Sequence, residues 1–113
     1  MTTKDLIKAI DDYISNDVSR KRNFLYIWDP ELGWCTIDAI KLRNGEMILQ
    51  SNEIDERRYS LRLNFIRHCA CFFDADTTVT AMLVDEDEDY EFIYPHSCSE
   101  DSDDGALCLW WGE

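Results

Sequence analysis

Apolar and polar positions alternate along this chain with two different periods. Leu6, Ile7, Ile10, Tyr13 and Ile14 follow helical spacing, while Lys4, Lys8, Asp11 and Asp12 fall on the opposite side. This predicts an amphipathic helix that starts at a Thr2 or Thr3 cap, carries Asp5 in its first turn and fades near Asn16–Asp17. After the basic link Ser19–Arg22, read as a solvated loop that could also pair internally with acidic residues, the composition shifts to strand formers. Phe24–Trp28 is one run and Trp34–Ile37 the next, with Asp29-Pro30-Glu31-Leu32-Gly33 as turn chemistry between them. Asn44-Gly45 is the hairpin signal joining Ala39–Leu42 to Met47–Leu49. Residues 23–50 therefore read as a three-stranded antiparallel meander.

Residues 54–73 fit two periods. Tyr59, Leu61, Leu63 and Phe65 alternate with polar neighbours, whereas Ile54, Arg57, Arg58, Leu61, Phe65 and Cys69 suit a helix. The alternation favours a strand. Thr77–Val84 and Tyr90–Tyr94 read as strands around an acidic hairpin loop at residues 85–89, and Ala106–Trp111 as a final docked strand. The expected fold is α+β: an antiparallel β-sheet, meander plus hairpin, with the N-terminal helix packed on one face, in a single domain spanning residues 1–113.

Charge changes the picture. The chain has 113 residues, a formal net charge of −13, and four Trp, five Tyr and five Phe, a content that argues for a folded domain. Residues 1–73 hold eleven acidic and all eleven basic side chains, so that part is neutral. Residues 74–113 hold thirteen acidic residues and no Lys or Arg. A surface this acidic repels phosphate backbones, which excludes direct nucleic-acid binding from the expectations. With no signal-peptide pattern, no membrane-length apolar run and five cysteines, an odd number, a cytoplasmic chain with reduced thiols is expected. Cys35, Cys69 and Cys108 read as small core residues.

Candidate chemistry is sparse. His68-Cys69-Ala70-Cys71 and His96-Ser97-Cys98 contain ligand types but no Cys-x-x-Cys spacing, and on a strand His68 points away from both cysteines. Glu100–Gly105 resembles the start of a calcium loop, but the twelfth position is Trp111 where a bidentate Glu is required. No phosphate-binding loop, dinucleotide fingerprint or nucleophile elbow is present. The expectation is a non-enzymatic protein without cofactor or metal. Its rival is a small metal-binding protein or enzyme using the His and Cys positions.

The acidic runs flank an aromatic strand and are followed by an apolar segment, so both are expected at the ends of ordered elements. On a strand, alternate carboxylates lie roughly 6.6 Å apart on one face. Such a surface attracts a basic partner, and basic clefts belong above all to nucleic-acid-handling proteins. In size and charge alone the chain resembles two groups of small acidic inhibitors. One is immunity proteins that block nuclease toxins; the other is phage- or plasmid-encoded DNA mimics that block restriction or CRISPR complexes. The expected partner-binding residues are Asp85, Glu86, Asp87, Glu88, Asp89, Tyr90, Glu91, Tyr94, Glu100, Asp101, Asp103 and Asp104. The tryptophans are expected mostly in the core, which leaves Tyr90 or Tyr94 as the aromatic contact.

Overall fold

A computed structural model describes residues 1–52, 60–85, 87 and 89–112. Its fold is α+β, with helix α1 (Thr3–Asn16), strands β1 (Leu25–Asp29), β2 (Gly33–Thr36), β3 (Ala39–Arg43) and β4 (Glu46–Asn52), helix α2 (Leu63–Ala70), and strands β5 (Val79–Val84), β6 (Tyr90–Ile93), β7 (Ser97–Glu100) and β8 (Leu107–Trp110). Among the described residues, no helix is long and apolar enough to cross a membrane.

α1 is held at its start by a capping box: the Thr2 hydroxyl accepts from the Asp5 N–H, and Asp5 accepts from the Thr2 N–H at 2.9 Å. The next orphan donors bond outside the helix, Thr3 N–H to the Thr77 carbonyl at 2.9 Å and Lys4 N–H to Ala75 at 3.0 Å. Leu6, Ile10 and Tyr13 are buried on one face, as the spacing predicts.

The expected single meander is instead divided between two sheets. One has the order β2-β1-β8-β7, the other β3-β4-β5-β6. β1 and β2 form a hairpin in the first sheet, and β3 and β4 one in the second. The division falls at Ile37–Asp38, where Ile37 is fully buried and the Asp38 N–H bonds the Gln50 carbonyl. Adjacent hairpins share one local pattern whether they stay in a sheet or cross to another, so the alternation could not separate the cases. The Asn44-Gly45 turn is as expected, with φ of 52° and 76°.

Each sheet also contains a parallel pair, β1 with β8 and β4 with β5. The β4–β5 connection runs through α2, as parallel neighbours require a crossover. β4 is buried at Met47, Ile48, Leu49, Gln50 and Ser51, the continuous burial of a central parallel strand.

The strand expected over residues 54–73 is corrected from Leu63 onward. Leu63–Ala70 is helix, burying Leu63, Ile66 and Ala70 and leaving Phe65 exposed. The alternation marks a real extended stretch just before it: Leu61 N–H bonds the Ile37 carbonyl, and Arg62 bridges Phe24. Helical spacing of Leu63, Ile66 and Ala70 against the core then overrides it. Ile54, Arg57, Arg58 and Tyr59 lie outside the described residues. One further strand, β7, was not expected; its sequence Ser-Cys-Ser-Glu carries little β signal and is held by pairing with β8. A single core gathers aliphatic side chains from both sheets and both helices.

Candidate acidic and aromatic binding face

In β1, Leu25, Ile27 and Asp29 point inward while Tyr26 and Trp28 point out. Trp28 stands opposite Trp34 of β2, and Tyr26 opposite Thr36. The outer side of the first sheet is therefore aromatic. Trp28 is 46% and Trp34 41% exposed, which corrects the placement of the tryptophans in the core; Trp110 and Trp111 are half-buried. Trp28 and Trp34 meet edge to face at 5.2 Å, and Trp34 meets Tyr26 at 6.4 Å with the rings nearly perpendicular. Trp111 Nε1 donates to the Trp28 carbonyl at 2.7 Å and Trp110 Nε1 to Ser99 Oγ at 2.8 Å.

Acidic loops lie at both ends of β1, and the one after β7 lines a cavity with Tyr26 and Trp34. The loop after β7 carries Asp101, Asp103 and Asp104 and enters β8 at the Leu25 end of β1. At the other end the β1–β2 turn, with Asp29 and Glu31, shares a surface cavity with Asp85, Asp89, Tyr90 and Glu91 of the β5–β6 hairpin. From Leu25 to Asp29 a strand rises about 13 Å, which sets the separation of the two acidic ends.

Turn chemistry holds these loops. Asp29 Oδ1 accepts from Glu31 N–H at 2.8 Å and Leu32 N–H at 3.0 Å. Asp85 Oδ1 accepts from Asp87 at 2.9 Å and Asp89 at 3.0 Å, and Asp101 Oδ1 from Asp103 at 3.0 Å. Asp85 and Asp101 thus engage one carboxylate oxygen within their own loops. Glu100 is also engaged, by Arg20 at 3.2 Å, the internal pairing of the basic link with an acidic run. That link is a short 3-10 helix, Val18–Arg22. Among the described residues, the carboxylates of Asp87, Asp89, Glu91, Asp103 and Asp104 have no such bond. Tyr90 and Tyr94 are 60% and 66% exposed. Glu86 and Glu88 lie outside the described residues.

The His and Cys positions do not converge. His68 lies on α2, edge-on to Phe72 at 5.2 Å, and His96 Nδ1 lies 3.0 Å from its neighbour Ser97 Oγ. The strand reading of His68–Cys71 is corrected to the end of α2, where Cys69 is half-buried and Cys71 exposed. Among the described residues, the one group whose ligand atoms approach within 4.8 Å of one another is Asp85, Asp87 and Asp89. Cys35 and Cys108 are buried as expected. Burial, with smaller contributions from Asp101 and Asp104, pushes the Cys108 thiol up to about 11, and burial pushes Cys98 up to about 12.

No family model, curated protein or solved structure matches the chain.

Proposed function

We propose that this is a non-enzymatic binding protein that blocks a basic, nucleic-acid-handling partner, in the manner of an immunity protein for a nuclease toxin. The observation that supports the reading is the exposed aromatic face of the first sheet beside the Asp101–Asp104 loop, with a second acidic group at the far end of β1. Exposed tryptophans supply desolvating anchors, and the carboxylates around them steer a cationic surface and penalise an anionic one. The acidic loops are tied to strand ends, so little ordering is required on binding.

The five carboxylates without bonds among the described residues provide the test. Asp87→Asn, Asp89→Asn, Glu91→Gln, Asp103→Asn and Asp104→Asn together leave the three turn-capping aspartates in place. Capture from the native host identifies the partner, and stopped-flow association is then measured at low and high salt. The variant is expected to associate about tenfold or more slowly at low salt, with a flatter salt dependence. An unchanged association rate, or a partner without a basic surface, refutes the proposal. The captured partner also separates a nuclease toxin from a restriction or CRISPR complex.

A further inference from the structure

The aromatic face contains a cavity of about 330 Å³, lined by Tyr26, Trp34, Asp101, Asp104, Ala106 and Cys108. Its walls differ chemically. The nearly perpendicular Tyr26 and Trp34 rings make a corner. Asp101 and Asp104 line the same space, and Cys108, whose Sγ donates to the Ala106 carbonyl at 3.7 Å, is a buried thiol. Among the described residues no basic side chain lines this cavity.

Two carboxylates beside two aromatic rings disfavour an anion and favour a cation. Shape then selects among cations. A guanidinium is flat and weakly hydrated; it stacks on a ring while donating in its plane to carboxylates, which a compact ammonium cannot do. Among the described residues the fold places a guanidinium over a ring three times, and Arg20 also meets a carboxylate, that of Glu100 at 3.2 Å. Arg20 lies over Tyr13 at 4.5 Å, Arg62 over Phe24 at 5.2 Å and Arg43 over Phe92 at 5.6 Å. The adjoining cavity, which shares Tyr26, Asp104 and Ala106, is lined also by Arg22 and Arg62. The Tyr26–Trp34 corner has the same ingredients and opens to the surface.

We infer that this cavity receives an arginine side chain of the basic partner, its guanidinium stacked in the Tyr26–Trp34 corner and hydrogen-bonded to Asp101 and Asp104. The inference rests on the binding role proposed above and names the group that anchors it.

The test uses three capped tripeptides, acetyl-Gly-Arg-Gly-amide and its citrulline and lysine counterparts, titrated into the full chain. Citrulline keeps the shape of arginine and removes the charge. Binding is followed by NMR at the Trp34 indole N–H and the backbone amides of residues 101–106. The arginine peptide is expected to bind about tenfold tighter than either counterpart, from charge-assisted bonds to two carboxylates. Asp101→Asn with Asp104→Asn, which retains the Oδ1 acceptor of the turn, should abolish the preference. Trp34→Leu should weaken arginine binding about threefold or more through loss of the ring contact. Equal binding of citrulline overturns the inference, equal binding of lysine overturns the guanidinium assignment, and so do shifts confined to residues 85–91. The comparison of peptides on the unaltered chain requires no variant to fold. Arginine binding without any blocked partner would remove the proposed function and leave the cavity; a captured basic partner without arginine selectivity would do the reverse.

Discussion

Tyr13 links the helix to the acidic loop, and Tyr13→Phe isolates that link. The side chain is 4% exposed. Its hydroxyl donates to the Gly105 carbonyl at 2.7 Å and accepts from Asn23 Nδ2 at 3.0 Å. Phe retains the buried ring and its contact with Arg20, so neither a cavity nor a lost cation–π contact enters the difference. What is lost is a donor to a partly buried carbonyl. Leaving such an acceptor unpaired costs about 1–3 kcal/mol, and partial access of water to Gly105 places the expected loss near the lower end, about 1 kcal/mol. Exposed Asn23 regains water, so Asn23→Ala should stay within about 0.5 kcal/mol. At this chain length a loss of about 1 kcal/mol lowers the melting midpoint by roughly 4 °C.

Urea unfolding measures the loss, with an unchanged m-value as the condition that only stability has moved. Hydrogen exchange gives a local readout. Gly105 N–H bonds the Asp101 carbonyl at 2.8 Å, and Asp101 N–H bonds Ala106 at 2.7 Å, so the turn that presents Asp101 and Asp104 opens as a unit. Tyr13→Phe should speed exchange at both amides more than global destabilisation accounts for. A loss below about 0.3 kcal/mol together with unchanged exchange at Gly105 refutes the reasoning, since the loop would then hold its form without the helix.

Two further outcomes follow from local geometry. Gly45 has φ of 76° and nothing within 4 Å of an added Cβ, so Gly45→Ala should cost only the left-handed backbone penalty, about 1–2 kcal/mol by urea unfolding; no loss at all would mean the turn is not held in that conformation. Folding raises the thiols of Cys98 and Cys108 from 9.0 to about 12 and about 11, so their contribution to stability is complete below pH 9 and is lost as pH rises through the folded values. Unfolding free energy should fall between about pH 9 and 12, and at pH 8 a thiol reagent should label exposed Cys71 well before either; early labelling of Cys98 or Cys108 contradicts the packing of β7 and β8.

Where local pattern and global packing agree, the fold was legible in the residues. α1 has its cap, period and fade point in one continuous stretch, and the Asn44-Gly45 hairpin depends on two residues alone. The parallel pairs were hidden because β1 meets β8, and β4 meets β5, through register set by the core rather than by a turn. α2 was hidden for a related reason. It lacks a side-chain cap at Arg62, so its start carries no sequence mark, and packing of Leu63, Ile66 and Ala70 forms the helix. For the candidate site, the exposure of Asp87, Asp89, Glu91, Glu100, Asp103 and Asp104 was legible, whereas Asp85 and Asp101 are half-buried. The exposure of Trp28 and Trp34 runs against their hydrophobicity and follows the alternation instead. Leu25, Ile27 and Asp29 against Tyr26 and Trp28 is a period-two pattern whose inward face is filled by the aliphatics, leaving Trp28 outside.

That pattern bears on the charge itself. Each acidic loop begins with an aspartate that accepts its own backbone N–H groups, so turn formation accounts for Asp29, Asp85 and Asp101. It does not account for the carboxylates that follow them. Asp87 and Asp89 sit beside Asp85, and their mutual repulsion works against the hairpin that holds them. Placing Asp101 and Asp104 beside the exposed rings joins what the chain keeps apart: Tyr26, Trp28 and Trp34 come from the neutral 73 residues, and the charge beside them comes from the acidic remainder. A solvated edge needs carboxylates but has no use for exposed tryptophans beside them. A surface that meets a cationic partner uses both, the rings for desolvated contact and the carboxylates for approach and choice of partner.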